Sequence, residues 1–206
     1  MKTQKMKAKI NIVYRSILIL AFLFTASASQ VQAKEWELDA NHSGIQFGVT
    51  HIFSTVFGNF SDFKGDIRFD PATPGAGRFD FTVQVKSVNT GNEKRDNHLR
   101  SPDFFDAKNY PEMRFVSSRI THKGGNDYVV TGKMTLKSTT KEMDIPFIFH
   151  GTAPSPFDKS KEVAGFDTEF TLDRLAFGVG SGKFFDMGVV GKDVTVTISV
   201  EALAGK

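Results

Sequence analysis

The chain has 206 residues, with 26 Lys plus Arg against 23 Asp plus Glu and a formal net charge of +3. It contains no Cys, which excludes a thiolate nucleophile, a thiolate metal site and a disulfide framework. Its aromatic content is lopsided, 21 Phe beside 3 Tyr and 1 Trp, so apolar bulk without polar handles recurs along it.

Residues 1–33 read as a secretory signal peptide. "MKTQKMKAKINIVYR" is basic with no acid, "SILILAFLFTA" is apolar, and "VQA" places small residues before a cut after Ala33. An apolar centre of roughly ten residues is too short for the ~20 that span a bilayer, so no membrane-spanning segment is expected after cleavage. Lys2, Lys5, Lys7, Lys9 and Arg15 all lie in this leader, leaving 21 basic against 23 acidic residues in 34–206, a net charge of −2. The isoelectric point near 9.0 therefore belongs to the leader. No basic face remains to attract nucleic acid. A bacterial periplasm is the expected location, and the 34–206 stretch suits one domain.

From residue 35 onward the chain reads as strand upon strand. "EWELDANHSGIQFGVTHI" sets Ile45, Phe47 and Val49 on one face, and "FSDFKGDIRFD" does the same for Phe63, Ile67 and Phe69. "DPATPGAG" is a turn. "RFDFTVQVKSV" (78–88) then alternates without a slip, Phe79, Phe81, Val83 and Val85 against Arg78, Asp80, Thr82, Gln84 and Lys86. Residues 89–112 are too polar for a strand. There "SPDFFDA" predicts a short helix with Ser101 as N-cap and Pro102 in its first turn, after another around Glu93–Leu99. Beyond it come "MRFVSSRITH", "DYVVTGKMTLKS", "MDIPFIFHGTA", "GFDTEFTLDRL" and "DVTVTISVEAL", with "HKGGND" as a hairpin turn. The count is eight strands in consecutive hairpins, an all-β antiparallel fold. Alternation alone fits both a sandwich and a barrel.

The His residues are 42, 51, 98, 122 and 150, none at a helical or finger spacing, so no metal site and no cofactor is predicted. His51 falls in phase with Phe47 and Val49, which suggests a buried, hydrogen-bonded group near a barrel end. "RDNHLR" clusters Arg95, Asp96, His98 and Arg100, whose expected role is to tie the helical insertion to the strands, with a phosphate contact by Arg95 or Arg100 as the second reading. "SGIQFG" and "FGVGSG" are not nucleophile elbows, and "GVGSGK" lacks phosphate-loop spacing, so no catalytic residue is assigned.

Several strings carry a resemblance: "WELDANHSGIQFGVTH", "GNFSDFKGDIRFD", "RDNHLRSPDFFDAKNYPEMRF", "VTGKMTLKSTTKEMDIPF" and "LDRLAFG". In order and spacing, over nearly all of residues 35–203, they resemble the YceI family of lipocalin-like, polyisoprenoid-binding proteins. A Gly common in that family before the Thr–Lys pair is replaced here by Ser138 or Thr139. The resemblance implies an eight-stranded antiparallel barrel with a short helical insertion, spanning 34–206. It also implies an isoprenoid or other long-chain lipid, such as a quinone or its precursor, held in an apolar cavity without catalysis. The implied ligand-binding wall is Ile45, Phe47, Val49, His51, Phe69, Phe79, Phe81, Val83, Val85, Phe147, Phe149 and Phe170, with Phe104 and Phe105 at one end. Two other functions stay open at this point. One is an enzyme acting on such a lipid, with His51 or His98 near its head group. The other is a stress-related interaction protein whose cavity is incidental. The sequence is compatible with a monomer or a homodimer.

Overall fold

The computed structural model describes residues 33–206, so the predicted leader lies outside the described residues except for Ala33. The chain folds as the strands β1 (Glu35–Leu38), β2 (Gly44–His51), β3 (Ser54–Phe60), β4 (Phe63–Arg68), β5 (Arg78–Gln84) and β6 (Val88–Asn89), then helix α1 (Glu93–Arg100). There follow β7 (Glu112–Gly124), β8 (Asp127–Leu136), β9 (Thr139–Pro154), β10 (Lys161–Asp173), a short helix α2 (Lys183–Asp186) and β11 (Val190–Gly205). The strands β1-β4-β5-β7-β8-β9-β10-β11 follow one another in hydrogen-bonded order, and β1 pairs back onto β11. This is a closed, eight-stranded antiparallel barrel, as the resemblance implied.

Three of the eight predicted strands are broken rather than continuous. β1 and β2 both pair with β11, β1 at Leu203 and Ala202 and β2 from Ser199 back to Val190, so they form one wall segment interrupted at 39–43. β3 and β4 are likewise one segment interrupted at 61–62. The alternation in 78–88 stops at Gln84, because Val85–Ser87 form a 3-10 turn before β6 resumes against β3. The Val85 amide still bonds to Pro111 O at 2.9 Å, one position beyond the last β5–β7 pair, before the chain turns.

The breaks divide the barrel into two levels. In the lower level Phe69, fully buried, is enclosed by the rings of Phe79, Tyr128, Phe147, Phe149 and Phe166 at centroid distances of 5.0–6.1 Å. Edge-to-face packing of this kind adds to the area term. Trp36 Nε1 donates to Phe69 O at 2.9 Å, which fixes the end of β4 beneath the cluster. This level is a filled core.

In the upper level the wall is incomplete. β9 pairs with β10 only from Pro154 to Ile148, and the first half of β9 has no ladder to the second half of β10. Pro146 stands where the pairing stops. Its carbonyl accepts from Thr168 Oγ1 at 2.6 Å, so it faces β10 with no N–H to give.

The polar insertion packs Leu99 and Phe105 against Ile45, Phe60, Val83 and Val88 of the upper wall. α1 begins at Asn92, whose side chain accepts from the Arg95 amide. Ser101–Ala107 are turns and not the predicted second helix, and Ser101 is the C-cap of α1 rather than an N-cap. The reason lies in the backbone. The amides of Phe105, Asp106 and Ala107 fold back onto the carbonyls of Leu99, Ser101 and Arg100, and Asp106 adopts φ 53°. These amides are thereby consumed by the end of α1. Asp96 and Arg95 hold Thr90, and Arg100 donates to Lys86 O and Val88 O, so "RDNHLR" does anchor the insertion, by hydrogen bonds. Among the described residues no helix is long and apolar enough to cross a membrane.

Candidate functional site

A cavity of about 250 Å³ occupies the upper level and ends on the aromatic cluster below. A single water needs roughly 10–15 Å³ of such space, so the cavity has room for a chain of atoms. β2 contributes Ile45, Phe47 and Val49, β5 contributes Phe79, Phe81 and Val83, and the far wall comes from Val194, Val196 and Ile198 of β11. Leu99, Phe104 and Phe105 close one side from the insertion, and Leu172 and Val179 close the other.

The inward Phe rings do not fill this space because three of them lie against glycines. Phe47 faces Gly58 across the β2–β3 ladder, and Phe81 faces Gly65 across β4–β5. A β-carbon on Gly58 would stand 2.4 Å from Phe47 Cζ, and one on Gly65 the same distance from Phe81 Cε1. Phe115 lies over Gly132 in the same way. A ring laid along the wall leaves the lumen open, whereas a ring standing off it would close the lumen. This close approach is what a strand glycine permits.

The sequence-predicted wall is therefore divided by height. Ile45, Phe47, Val49, Phe79, Phe81, Val83, Phe104, Phe105, Phe147 and Phe170 border the cavity. Phe69 and Phe149 point inward but lie in the filled lower level, and Val85 is buried in the 3-10 turn. His51 is exposed at the end of β2 and off the lining, contrary to the buried position expected. Its neighbour Ile52 turns the chain with φ 54°, rare for a β-branched residue, so both ladders of β2 end at His51 and its side chain stays exposed at the rim. His98 is also exposed. It sits against Phe104 and Phe184 with Nε2 3.2 Å from Asp103, and it too lies off the lining.

One residue that sequence reasoning passed over borders the cavity with a charge. Arg174 is 5% exposed. Its Nε donates to Gly191 O at 2.8 Å, Nη1 to Val179 O at 2.8 Å and Nη2 to Val190 O at 3.2 Å. The guanidinium carbon stands 5.9 Å from the centroid of the Phe104 ring. Burial pulls its pKa below the ordinary arginine value, and the charge of Asp173 opposes this weakly. The other polar residues along the cavity, Gln46, Arg114, Asp167 and Thr168, are exposed or half-buried. The only sequence signal was an Arg amid apolar residues in "LDRLAFG".

Away from the cavity, the break between β1 and β2 brings Asp39, His42 and Glu201 together, their ligand-type atoms within 4.8 Å of one another. His42 Nδ1 lies 2.8 Å from Asp39 Oδ2. That hydrogen bond holds the Asp39 carboxyl low and raises His42, and the pair fixes the kink at the surface.

Residues 36–202 match the YceI-like domain. The chain belongs to this family. Among its relatives, a UPF0312 protein of Pectobacterium atrosepticum is 32% identical over 191 residues, covering 91% of this chain and 96% of its own. Protein YceI of Escherichia coli is 30% identical over 196 residues, covering 93% and 99%. Among solved structures, Burkholderia cenocepacia BcnA superposes with a TM-score of 0.73 at 30% identity, over 81% of this chain and 99% of its own. A polyisoprenoid-binding domain from Saccharophagus degradans, at 14% identity, has a TM-score of 0.61 over 82% and 98%. At that identity the likeness is one of fold.

Proposed function

We propose that this YceI-like protein is an exported, non-enzymatic carrier or reservoir for an isoprenoid-type lipid, whose chain lies in the upper-level cavity. The observation that carries the reading is the apolar wall, set open by rings lying on glycines. A prenyl chain offers only CH groups, and each buried CH₂ gains about 0.8 kcal/mol on leaving water. Ordering the chain and losing its translational freedom offset much of that gain, so affinity depends more on chain length than on fine shape. The Saccharophagus neighbour, described as a polyisoprenoid-binding domain, supports the same reading through its fold. The basic, apolar, small-residue leader supports export to the periplasm. The positions of His51 and His98, both off the lining, favour sequestration over chemistry on the lipid.

Native mass spectrometry of protein purified from the periplasm without detergent tests this. The expected result is a non-covalent adduct with the mass of a prenyl lipid, released unchanged in organic solvent. Protein that carries no adduct and fails to take up a supplied prenyl alcohol would sink the reading.

A further inference from the structure

Five of the seven large apolar side chains left exposed among the described residues gather at one end of the barrel. Ile52 and Phe53 form the two-residue turn between β2 and β3, and Phe57 lies on the outer face of β3 with its ring against Gly48. Phe185 and Met187 lie in α2 and at its C-cap, just before β11. The two segments are joined, because the Ile52 amide donates to Val189 O at 3.0 Å and His51 pairs with Val190. Phe53 is 100% exposed, Phe57 71% and Met187 62%.

Local structure does not ask for apolar residues at these points. A two-residue hairpin turn with positive φ favours Gly, Asn or Asp, yet here Ile52 takes φ 54°. In α2, Phe184 stacks on Phe104 at 5.9 Å and anchors the turn, while Phe185 beside it faces water. Charge is scarce as well. Residues 40–61 contain no Lys, Arg, Asp or Glu, although 24% of the chain is charged. Lys183 and Asp186 of α2 offset one another.

Shape and position select the partner of such a patch. Phe53 stands at a hairpin tip, so a folded protein would need a socket for it, whereas a fluid bilayer closes around any protrusion. Aromatic rings also suit the head-group level of a membrane. The cavity wall runs up to the same rim, with Val49 and Val190 as its outermost residues on β2 and β11.

We propose that the rim of Ile52, Phe53, Phe185 and Met187, with Phe57 on its flank, docks on a lipid bilayer and sets its apolar tips among the head groups. The choice of a lipid surface rests on the carrier reading, since a carrier exchanges its cargo with a membrane.

The test uses the mature protein stripped of copurified lipid, with vesicles of phosphatidylcholine alone or of phosphatidylcholine mixed with phosphatidylglycerol. Binding is read by flotation. The wild type is expected to float with both kinds, with little change on adding salt, because insertion of apolar tips is not screened. Phe53→Ser combined with Met187→Ser is expected to cut the bound fraction fivefold or more at an unchanged melting temperature, both side chains being exposed. Phe157→Ser is expected to leave binding unchanged. Phe157 is as exposed as Phe53, but it lies on the β9–β10 turn, which the bond from the Lys206 amide to Ser160 O places at the opposite end of β11. A wild type that floats with neither vesicle would overturn the proposal and leave a protein as the partner of the rim. So would an equal loss in Phe157→Ser, full binding by the double variant, or binding confined to phosphatidylglycerol vesicles at low salt. A prenyl alcohol supplied in solution separates the two readings. Uptake without vesicle binding defeats the docking alone, and vesicle binding without uptake defeats the carrier reading.

Discussion

Phe81 lies across Gly65, its partner in the β4–β5 ladder, so that a β-carbon on Gly65 would stand 2.4 Å from Phe81 Cε1. All three atoms nearest that point belong to the Phe81 ring, which is free to rotate away from the wall. Gly65→Ala is therefore expected to fold, because the lost ring contact is partly offset by the reduced backbone freedom of the unfolded chain. The displaced ring enters the lumen. The measurement is lipid uptake beside thermal unfolding, and the expected outcome is reduced uptake at a melting temperature close to that of the wild type. An unchanged uptake would mean that the glycine has no part in keeping the cavity open.

A carboxylate on the cavity wall should prevent occupancy by a hydrocarbon. Phe81→Asp is expected to abolish retention of copurified lipid, since an isolated charge facing an apolar chain must be desolvated. Lys86→Asp, at an exposed position in the 3-10 turn, is expected to retain it. Mass spectrometry of both proteins after identical purification checks the pair, with circular dichroism to confirm folding.

The two levels of the barrel should respond differently to the same truncation. Phe69→Ala leaves a hole among Phe79, Tyr128, Phe147, Phe149 and Phe166 and is expected to cost about 3–5 kcal/mol. Phe47 already borders open space, so Phe47→Ala is expected to cost clearly less and to enlarge the cavity. Urea unfolding of the lipid-free proteins reads the difference directly. Equal losses would mean that the upper level is as tightly filled as the lower.

The Asp39–His42 pair predicts a pH dependence of defined sign. The hydrogen bond to Asp39 raises His42, so its contribution to stability is complete below the ordinary value of about 6.5 and is lost as pH rises through the folded value. Asp39 is lowered, chiefly by the same bond, so its contribution is present above the ordinary carboxylate value and is lost as pH falls through its folded value. Both hold in mildly acidic solution. The melting-temperature gap between wild type and His42→Gln is thus expected to be widest near pH 5.5 and to close by pH 9. It should be small throughout, because the pair is exposed to solvent. A gap that widens with pH would reverse the assignment.

How much of this could be read from the chain depends on what alternation encodes. A period of two tells which side of a sheet a residue faces, and on that basis Ile45, Phe47, Phe79, Phe81 and Val83 were placed inward as the structure has them. It carries no information about height along the barrel. Phe69 and Phe149 have the same phase as their cavity-facing neighbours but lie at the filled level. Val85 escaped because a 3-10 turn keeps a residue buried while ending its strand. Ser101 and Pro102 carried a valid helix-start signal, yet the amides that followed were drawn back to the carbonyls of α1. Arg174 was least legible of all. Its meaning lies in carbonyls 5 to 17 residues away, which only the folded loop brings round it.

The unladdered stretch between β9 and β10 has a mechanical consequence. There the circumference is held by side-chain contacts and by the single bond from Thr168 to Pro146 O, with no row of amide bonds to break. Such a seam can widen or narrow by sliding methyl and phenyl groups past each other, at far lower cost than tearing a ladder. The barrel is therefore built like a cuff with one elastic join, able to change its girth without losing a ladder.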